Sequence, residues 1–156
     1  MDEKELMRRA INSARAGIEA GQSPFGCAIA SEGRVIACQH NTVLATPDCT
    51  AHAEINALRE ACQRTGQVHL NGAMVATTCE PCPMCIAALH WARVTVVYFG
   101  AAIGDARQAG FNELQLPAHD VLRRGGSCVE VIGNILPDEC RQLFQQWLQR
   151  DGHQSY

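Results

Sequence analysis

Charge of either sign is sparse in this 156-residue chain: Asp, Glu, Lys and Arg together make up 19%, and aromatic residues only 5%. Lys and Arg number 13 against 16 Asp and Glu, for a formal charge of −3, and the densest basic cluster is the pair Arg123-Arg124. A nucleic-acid binder usually carries a basic footprint. Its absence argues against that partner and for a small neutral substrate. No apolar run approaches the roughly 20 residues of a membrane span. The opening "MDEKELMRRA" lacks the apolar region of a signal peptide. There is no repeat, low-complexity tract or linker. These absences lead us to expect one cytoplasmic domain over residues 1–156, bound to neither membrane nor nucleic acid. Hydrophobic residues at 47% supply a core that needs no disulfides.

Cysteine, by contrast, is abundant. Nine is an odd number, and most of them fall inside apolar periodic segments, a pattern that fits reduced thiols better than a secreted disulfide framework. Cys27, Cys38, Cys62, Cys128 and Cys140 lie on apolar faces and are expected to pack in the core.

Periodicity predicts the elements. Met7, Ala10, Ile11, Ala14 and Ile18 recur at helical spacing over 4–20, and Gly21 stops that helix. "FGCAIA" (25–30) and "RVIACQ" (34–39) read as a hairpin joined by Ser31-Glu32-Gly33. Thr50 is placed to cap a helix over 51–64. A strand over 73–79 precedes a helix over 83–92, where Pro83 suits the first turn because its missing N–H would be unpaired there anyway. "VTVVYF" (94–99) is the most β-branched run and predicts a central strand. A short strand at 128–132 follows a long irregular stretch, and Pro137 opens a last helix with Cys140, Leu143, Phe144, Trp147 and Leu148 on one stripe. This alternation predicts an α/β fold with a mixed sheet and helices on both faces. Such sheets place their sites at the carboxyl ends of strands.

Two segments at strand-to-helix junctions carry chemistry: "TAHAE" (50–54) and "CEPCPMC" (79–85). Cys82 at a helix cap and Cys85 in its first turn are poised as thiolates, because a helix N-terminus lowers a thiol pKa. His52 offers a nitrogen from another helix start. One imidazole and two thiolates leave one place open on a tetrahedral zinc. Cys79 sits at a strand end across the turn and need not converge. Two other readings stand beside this one. A redox Cys82–Cys85 disulfide leaves His52 and Glu54 without a role, and a closed structural zinc would take Cys79 as fourth ligand. Glu54 favours the catalytic reading, since a carboxylate beside the open place can move protons. Four other histidines, His40, His69, His119 and His153, read as surface or turn residues.

His52-Ala53-Glu54 followed by Pro81-Cys82-Pro83-Met84-Cys85 is the signature of the zinc nucleobase deaminases. "PFGCAI" (24–29), Asn41, "TAHAEINALREAC" (50–62) and "CEPCPMCIAALHWAR" (79–93) resemble the cytidine-deaminase superfamily. Trp91, "DARQAGFNE" (105–113) and the final tyrosine are similar to its bacterial guanine deaminase branch. The resemblance implies a three-layer α/β/α sandwich around a mixed five-stranded sheet, and one zinc per chain on His52, Cys82 and Cys85. It implies Glu54 as proton shuttle, Asn41 on purine acceptors, Phe25 and Trp91 walling the ring, and Glu113 gripping a purine N–H. Asn112-Glu113 departs here from the branch's two aspartates. It also implies a homodimer whose residues 151–156 cross to the neighbour, bringing Tyr156 over its pocket. By themselves those six residues hold nothing that would pack, and a tail of that kind frays unless a ligand or partner meets it. The reaction implied is hydrolytic deamination of guanine to xanthine and ammonia. The alternatives are deamination of another base or nucleoside, such as cytosine, guanosine or an amino-triazine, of tRNA adenosine, or a zinc module without catalysis.

Overall fold

A computed structural model describes residues 1–156. Its first helix, α1 (Glu3–Glu19), begins where the Asp2 side chain accepts from the Glu5 N–H at 2.7 Å. It buries the predicted stripe, with Leu6, Met7, Ala10, Ile11, Ala14 and Ile18 all facing inward. β1 (Gly26–Ser31) and β2 (Arg34–His40) form the expected hairpin. α2 (Ala53–Thr65), β3 (Met74–Cys79), α3 (Pro83–Trp91) and β4 (Val96–Ala101) follow. The long stretch before the last strand, expected to be irregular with room for one helix, holds two short ones, α4 (Ile103–Gln108) and α5 (Ala118–Gly125). β5 (Glu130–Ile132) and α6 (Pro137–Leu148) complete the chain.

The sheet order is β2-β1-β3-β4-β5. β1 runs antiparallel to both β2 and β3, and β3, β4 and β5 run parallel. β3 is therefore the central strand. β4, expected as a central strand, is likewise paired on both sides. The period-2 alternation of β1 sends Ala28 and Ala30 to one face and Cys27 and Ile29 to the other. On the first face they meet α1 and α6, through Leu6, Ile11, Leu143 and Phe144. On the second they meet α2, α3 and α5, through Ala57, Ile86, Leu89 and Leu122. This is the α/β/α sandwich.

The open edge of β2 is covered by α2. Glu60 accepts the Cys38 N–H at 3.1 Å, and Arg64, one turn on, donates to the Ile36 carbonyl at 3.0 Å. Pairing these groups blunts an edge that would otherwise invite another strand.

The cysteines divide differently from expectation. Cys27 and Cys140 are buried, but Cys38 and Cys62 are only partly covered and Cys128 is exposed. Cys128 lies just before the three-residue strand at the sheet margin.

Gly26 sets how closely α1 approaches the sheet. A methyl group there would meet the Ala10 carbonyl oxygen and stand 2.7 Å from the Ala14 nitrogen. Backbone cannot give way as a side-chain tip can. Gly26→Ala is therefore expected to cost about 1–3 kcal/mol by overpacking, read as a lower urea midpoint with an unchanged slope. A midpoint equal to that of the parent protein would show that α1 can move outward freely.

Candidate active site

The end of the sheet at which β3 terminates gathers every chemical group singled out above except Trp91. β1 runs antiparallel to β3, so Phe25, just before β1, and Asn41, just after β2, arrive at the same end as Cys79. α2 and α3 both start there. Their N-cap residues are His52 and Cys82, each with extended backbone and neither using its side chain to cap. Thr50, the expected cap of α2, bonds instead to Asp48, through its hydroxyl at 2.7 Å and its N–H at 2.8 Å. That Asx-type turn delays the helix by two residues and releases the imidazole of His52 toward α3.

His52 Nδ1 lies 3.7 Å from Cys82 Sγ and 3.5 Å from Cys85 Sγ. The three ligand atoms lie within 4.8 Å of one another. Zinc holds nitrogen at about 2.0–2.1 Å and sulfur at about 2.3 Å, which at tetrahedral angles puts N and S about 3.6 Å apart. The observed separations fit a zinc ion bound through Nδ1. The electrostatics agree. The Cys82 thiol is brought down to about 4, first by the hydrogen bond from Cys85 and then by His52. Cys85 is held well above the ordinary thiol range, first by that same bond to Cys82 and then by burial. One thiolate is thus ready beside two helix N-termini, and a cation would draw the proton from the second.

Cys79 stays out of this set. It is buried, which pushes its thiol up, and its sulfur points to the Ala102 carbonyl at 3.5 Å. Glu54 is 6% exposed in the first turn of α2, and one carboxylate oxygen accepts from the Thr77 hydroxyl at 2.8 Å. Burial raises its pKa, despite the opposing pull of His52. A carboxyl so raised holds a proton more readily than an exposed one, which suits a proton shuttle.

Phe25, Asn41, His52, Glu54, Cys79, Glu80, Cys82, Glu113 and Tyr156 line one pocket. Phe25 is edge-on to Phe111 at 4.8 Å and to Phe144 at 5.7 Å, so one side of its ring belongs to the core. Glu113 comes from the segment between α4 and α5, and its pKa is raised, mainly by burial. Trp91 does not join them. It lies at the far end of α3 and is 72% exposed, so it cannot wall a ring in its own chain's pocket. Helical periodicity explains this placement: six residues beyond Cys85, it points away from the side that faces the site.

The C-terminal tail is the larger surprise. It does not fray. It docks on its own chain. His153 packs edge-on against Trp147 at 4.8 Å, Tyr156 against Phe111 at 5.6 Å, and the Asn112 N–H donates to the Tyr156 carbonyl at 3.1 Å. The Tyr156 hydroxyl accepts from the Asn41 side-chain amide, and its ring centroid lies 6.0 Å from that of His52. Asn41 itself is fully buried, and its side-chain Oδ1 accepts the Val43 N–H at 3.1 Å. Two participants escaped the sequence reading, Thr77 and Glu80. Glu80 had a visible signal, as the one acidic residue inside the cysteine motif; Thr77 had none.

Residues 1–101 match the model of the cytidine and deoxycytidylate deaminase zinc-binding region. Over 114 residues the chain is 41% identical to guanine deaminase of Bacillus subtilis (strain 168), covering 72% of this chain and 73% of that protein. It is 36% identical over 143 residues to the tRNA-specific adenosine deaminase of the same organism, covering 90% of this chain and 85% of that one. Among solved structures, one in complex with 2,6-diaminopurine superposes with a TM-score of 0.89 at 26% identity, covering 99% of this chain and 86% of that chain.

The geometry separates the sulfurs in a measurable way. Cys85→Ala or His52→Ala is expected to strip zinc from the purified protein, and Cys79→Ala to retain it, by elemental analysis. Loss in Cys79→Ala with retention in Cys85→Ala would reverse the assignment.

Proposed function

The chain belongs to the cytidine and deoxycytidylate deaminase zinc-binding family, and on that premise we propose that it converts free guanine and water to xanthine and ammonia. One zinc ion per chain is held by His52, Cys82 and Cys85. When bound, it supplies the lowered pKa that makes water a nucleophile near neutral pH. Glu54 would take one proton of that water and pass it to the ring nitrogen beside the carbon under attack, then take the second from the hydroxyl so formed and pass it to the amino nitrogen as the carbon–nitrogen bond breaks and ammonia leaves. The Thr77 hydroxyl bond holds the Glu54 carboxylate in place for these transfers.

The observation that carries the choice of substrate is Glu113, a second carboxylate in the same pocket as Glu54. A carboxylate offers acceptors only. Guanine presents ring N–H groups to match it. An adenosine within tRNA has no ring N–H, its only base donor being the amino group that leaves. Asn41 offers its side-chain amide to purine acceptors once the Tyr156 hydroxyl yields it. The net charge of −3 supports a free base over a polyanion. The tRNA-specific relative covers more of this chain than the guanine deaminase does, so tRNA adenosine is the second reading. A screen of ammonia release over guanine, adenine, cytosine, their nucleosides, amino-triazines and a tRNA anticodon stem decides between them. Guanine is expected to be the best substrate; the stem alone would refute the proposal. Glu54→Gln is expected to keep its zinc and lose about a hundred- to ten-thousand-fold in turnover. Near-parental turnover would remove Glu54 from the mechanism.

The functional unit we propose is a homodimer. α3 is apolar nearly all round, yet Met84 and Ala87 are half-exposed and Trp91 is 72% exposed, leaving an apolar face free for a second copy. Tyr156 closes the pocket over the substrate and excludes water. Its docking here needs no exchange between subunits. Removing residues 151–156 is expected to keep fold and zinc and to lower guanine turnover strongly. Mixing that truncated protein with Glu54→Gln tests the direction of the tail. No recovery is expected if each tail serves its own chain, and partial recovery would show that tails are exchanged. Full activity of the truncated protein alone would show that the tail closes nothing.

A further inference from the structure

Glu113 stands on a segment with little regular structure of its own. Between the end of α4 and the start of α5, Phe111 N–H bonds back to Ala106 at 3.2 Å and Glu113 N–H to Phe111 at 3.0 Å. The only longer backbone tie is the Asn112 bond to the C-terminal residue. Nothing in that set fixes where the Glu113 carboxylate points. Both flanking helices, however, are fastened to one side chain. Glu80 follows the last residue of β3, and its N–H donates to the Ala101 carbonyl at 2.8 Å, continuing the β3–β4 pairing by one step. One of its carboxylate oxygens accepts the N–H of Ala118, the first residue of α5, at 3.0 Å. The other accepts the N–H of Ile103, the first residue of α4, at 3.4 Å.

We propose that Glu80 is a positioning residue for substrate selection: by clamping the starts of α4 and α5 to the end of β3, it fixes the segment that carries Glu113 into the pocket. The proposal rests on the reading of Glu113 as the group that grips a purine N–H. A carboxylate is the residue type the clamp requires. Two amide donors from separate elements converge on one side chain, and only Asp or Glu presents two acceptor oxygens to meet them. Such bonds to a charged acceptor are roughly twice as strong as neutral ones. Although Glu80 lines the pocket, its two oxygens are engaged by these backbone donors, so it acts on substrate through Glu113.

The test is a double-mutant cycle on the zinc-loaded full chain with guanine. Glu80→Gln keeps size but leaves one amide facing an NH₂ donor. It is expected to lower kcat/KM roughly ten- to a hundredfold, the scale of an ångström-sized misplacement, with zinc content unchanged. Glu113→Gln lowers it further, and Glu80→Gln/Glu113→Gln is expected to match Glu113→Gln alone, because a residue that acts only through another adds nothing once that other is gone. Losses that multiply would overturn the proposal, since a general structural role would weaken both backgrounds equally. Ala118→Pro removes one of the two bonds from the donor side, at a first-turn position that accepts proline, and should behave like Glu80→Gln in the same cycle. Hydrogen exchange reads the clamp without any substrate. Faster exchange over 103–118 in Glu80→Gln, with 52–58 and 83–91 unchanged, is expected, and unchanged exchange over 103–118 would overturn the proposal. If the parent protein releases no ammonia from guanine, only the guanine reading falls; exchange still decides the clamp.

Discussion

The imidazole of His52 and the sulfurs of Cys82 and Cys85 meet because two helices begin at the same end of one sheet. Each helix opens on a residue with extended backbone whose side chain leans back over the helix start. That convergence places three soft ligands where the unpaired N–H groups of two helices already favour negative charge. The rest of the site is arranged around it. β3 ends beside it at Cys79, α2 carries Glu54 beneath it, and the antiparallel turn of β1 brings Phe25 and Asn41 to its flank.

Among the pocket's carboxylates, Glu54 and Glu113 differ in how they are held, and the difference suits the roles proposed for them. Glu54 rises from a helix, is almost fully buried, and has a hydroxyl donor on the central strand. Glu113 comes from a connecting segment, is only partly covered, and depends on its neighbours for its place. Proton transfer tolerates little displacement, so its carboxylate belongs on the rigid element. Glu113, proposed to recognise substrate, sits instead on a segment bounded by the Glu80 bonds and tied to the tail at Asn112. The Tyr156 hydroxyl and the Asn41 amide occupy each other while the tail is down. On the proposed reading, a purine that takes the amide would displace that bond, coupling substrate entry to tail movement.

Much of this was legible in the residues, for reasons that differ from place to place. The stripes of α1 and α6 and the hairpin of β1 and β2 announced themselves because burial on one side imposes a period. The metal ligands were legible because few other roles explain His52, Glu54, Cys82 and Cys85 at that spacing. Thr50 misled because a cap and an Asx turn use the same residue types, and the choice depends on Asp48 two residues earlier. Trp91 misled because resemblance assigns a residue to a site without saying which way its helix faces. The docking of the tail within the chain was hidden because its partners, Phe111, Asn112 and Asn41, lie far away in sequence. The clamp of Glu80 on Ile103 and Ala118 is hidden for the same reason.

Zinc K-edge X-ray absorption on the full-length protein tests the central claim most directly, because it counts the atoms around the metal. The account predicts two sulfurs near 2.3 Å, one imidazole nitrogen near 2.0–2.1 Å, and one further light neighbour in the open place, about the distances typical of such sites. A shell of three sulfurs and one nitrogen, with no light neighbour exchangeable by an added inhibitor, would put Cys79 on the metal. That result would make the centre structural, and the account of Glu54 and the pocket would fall with it.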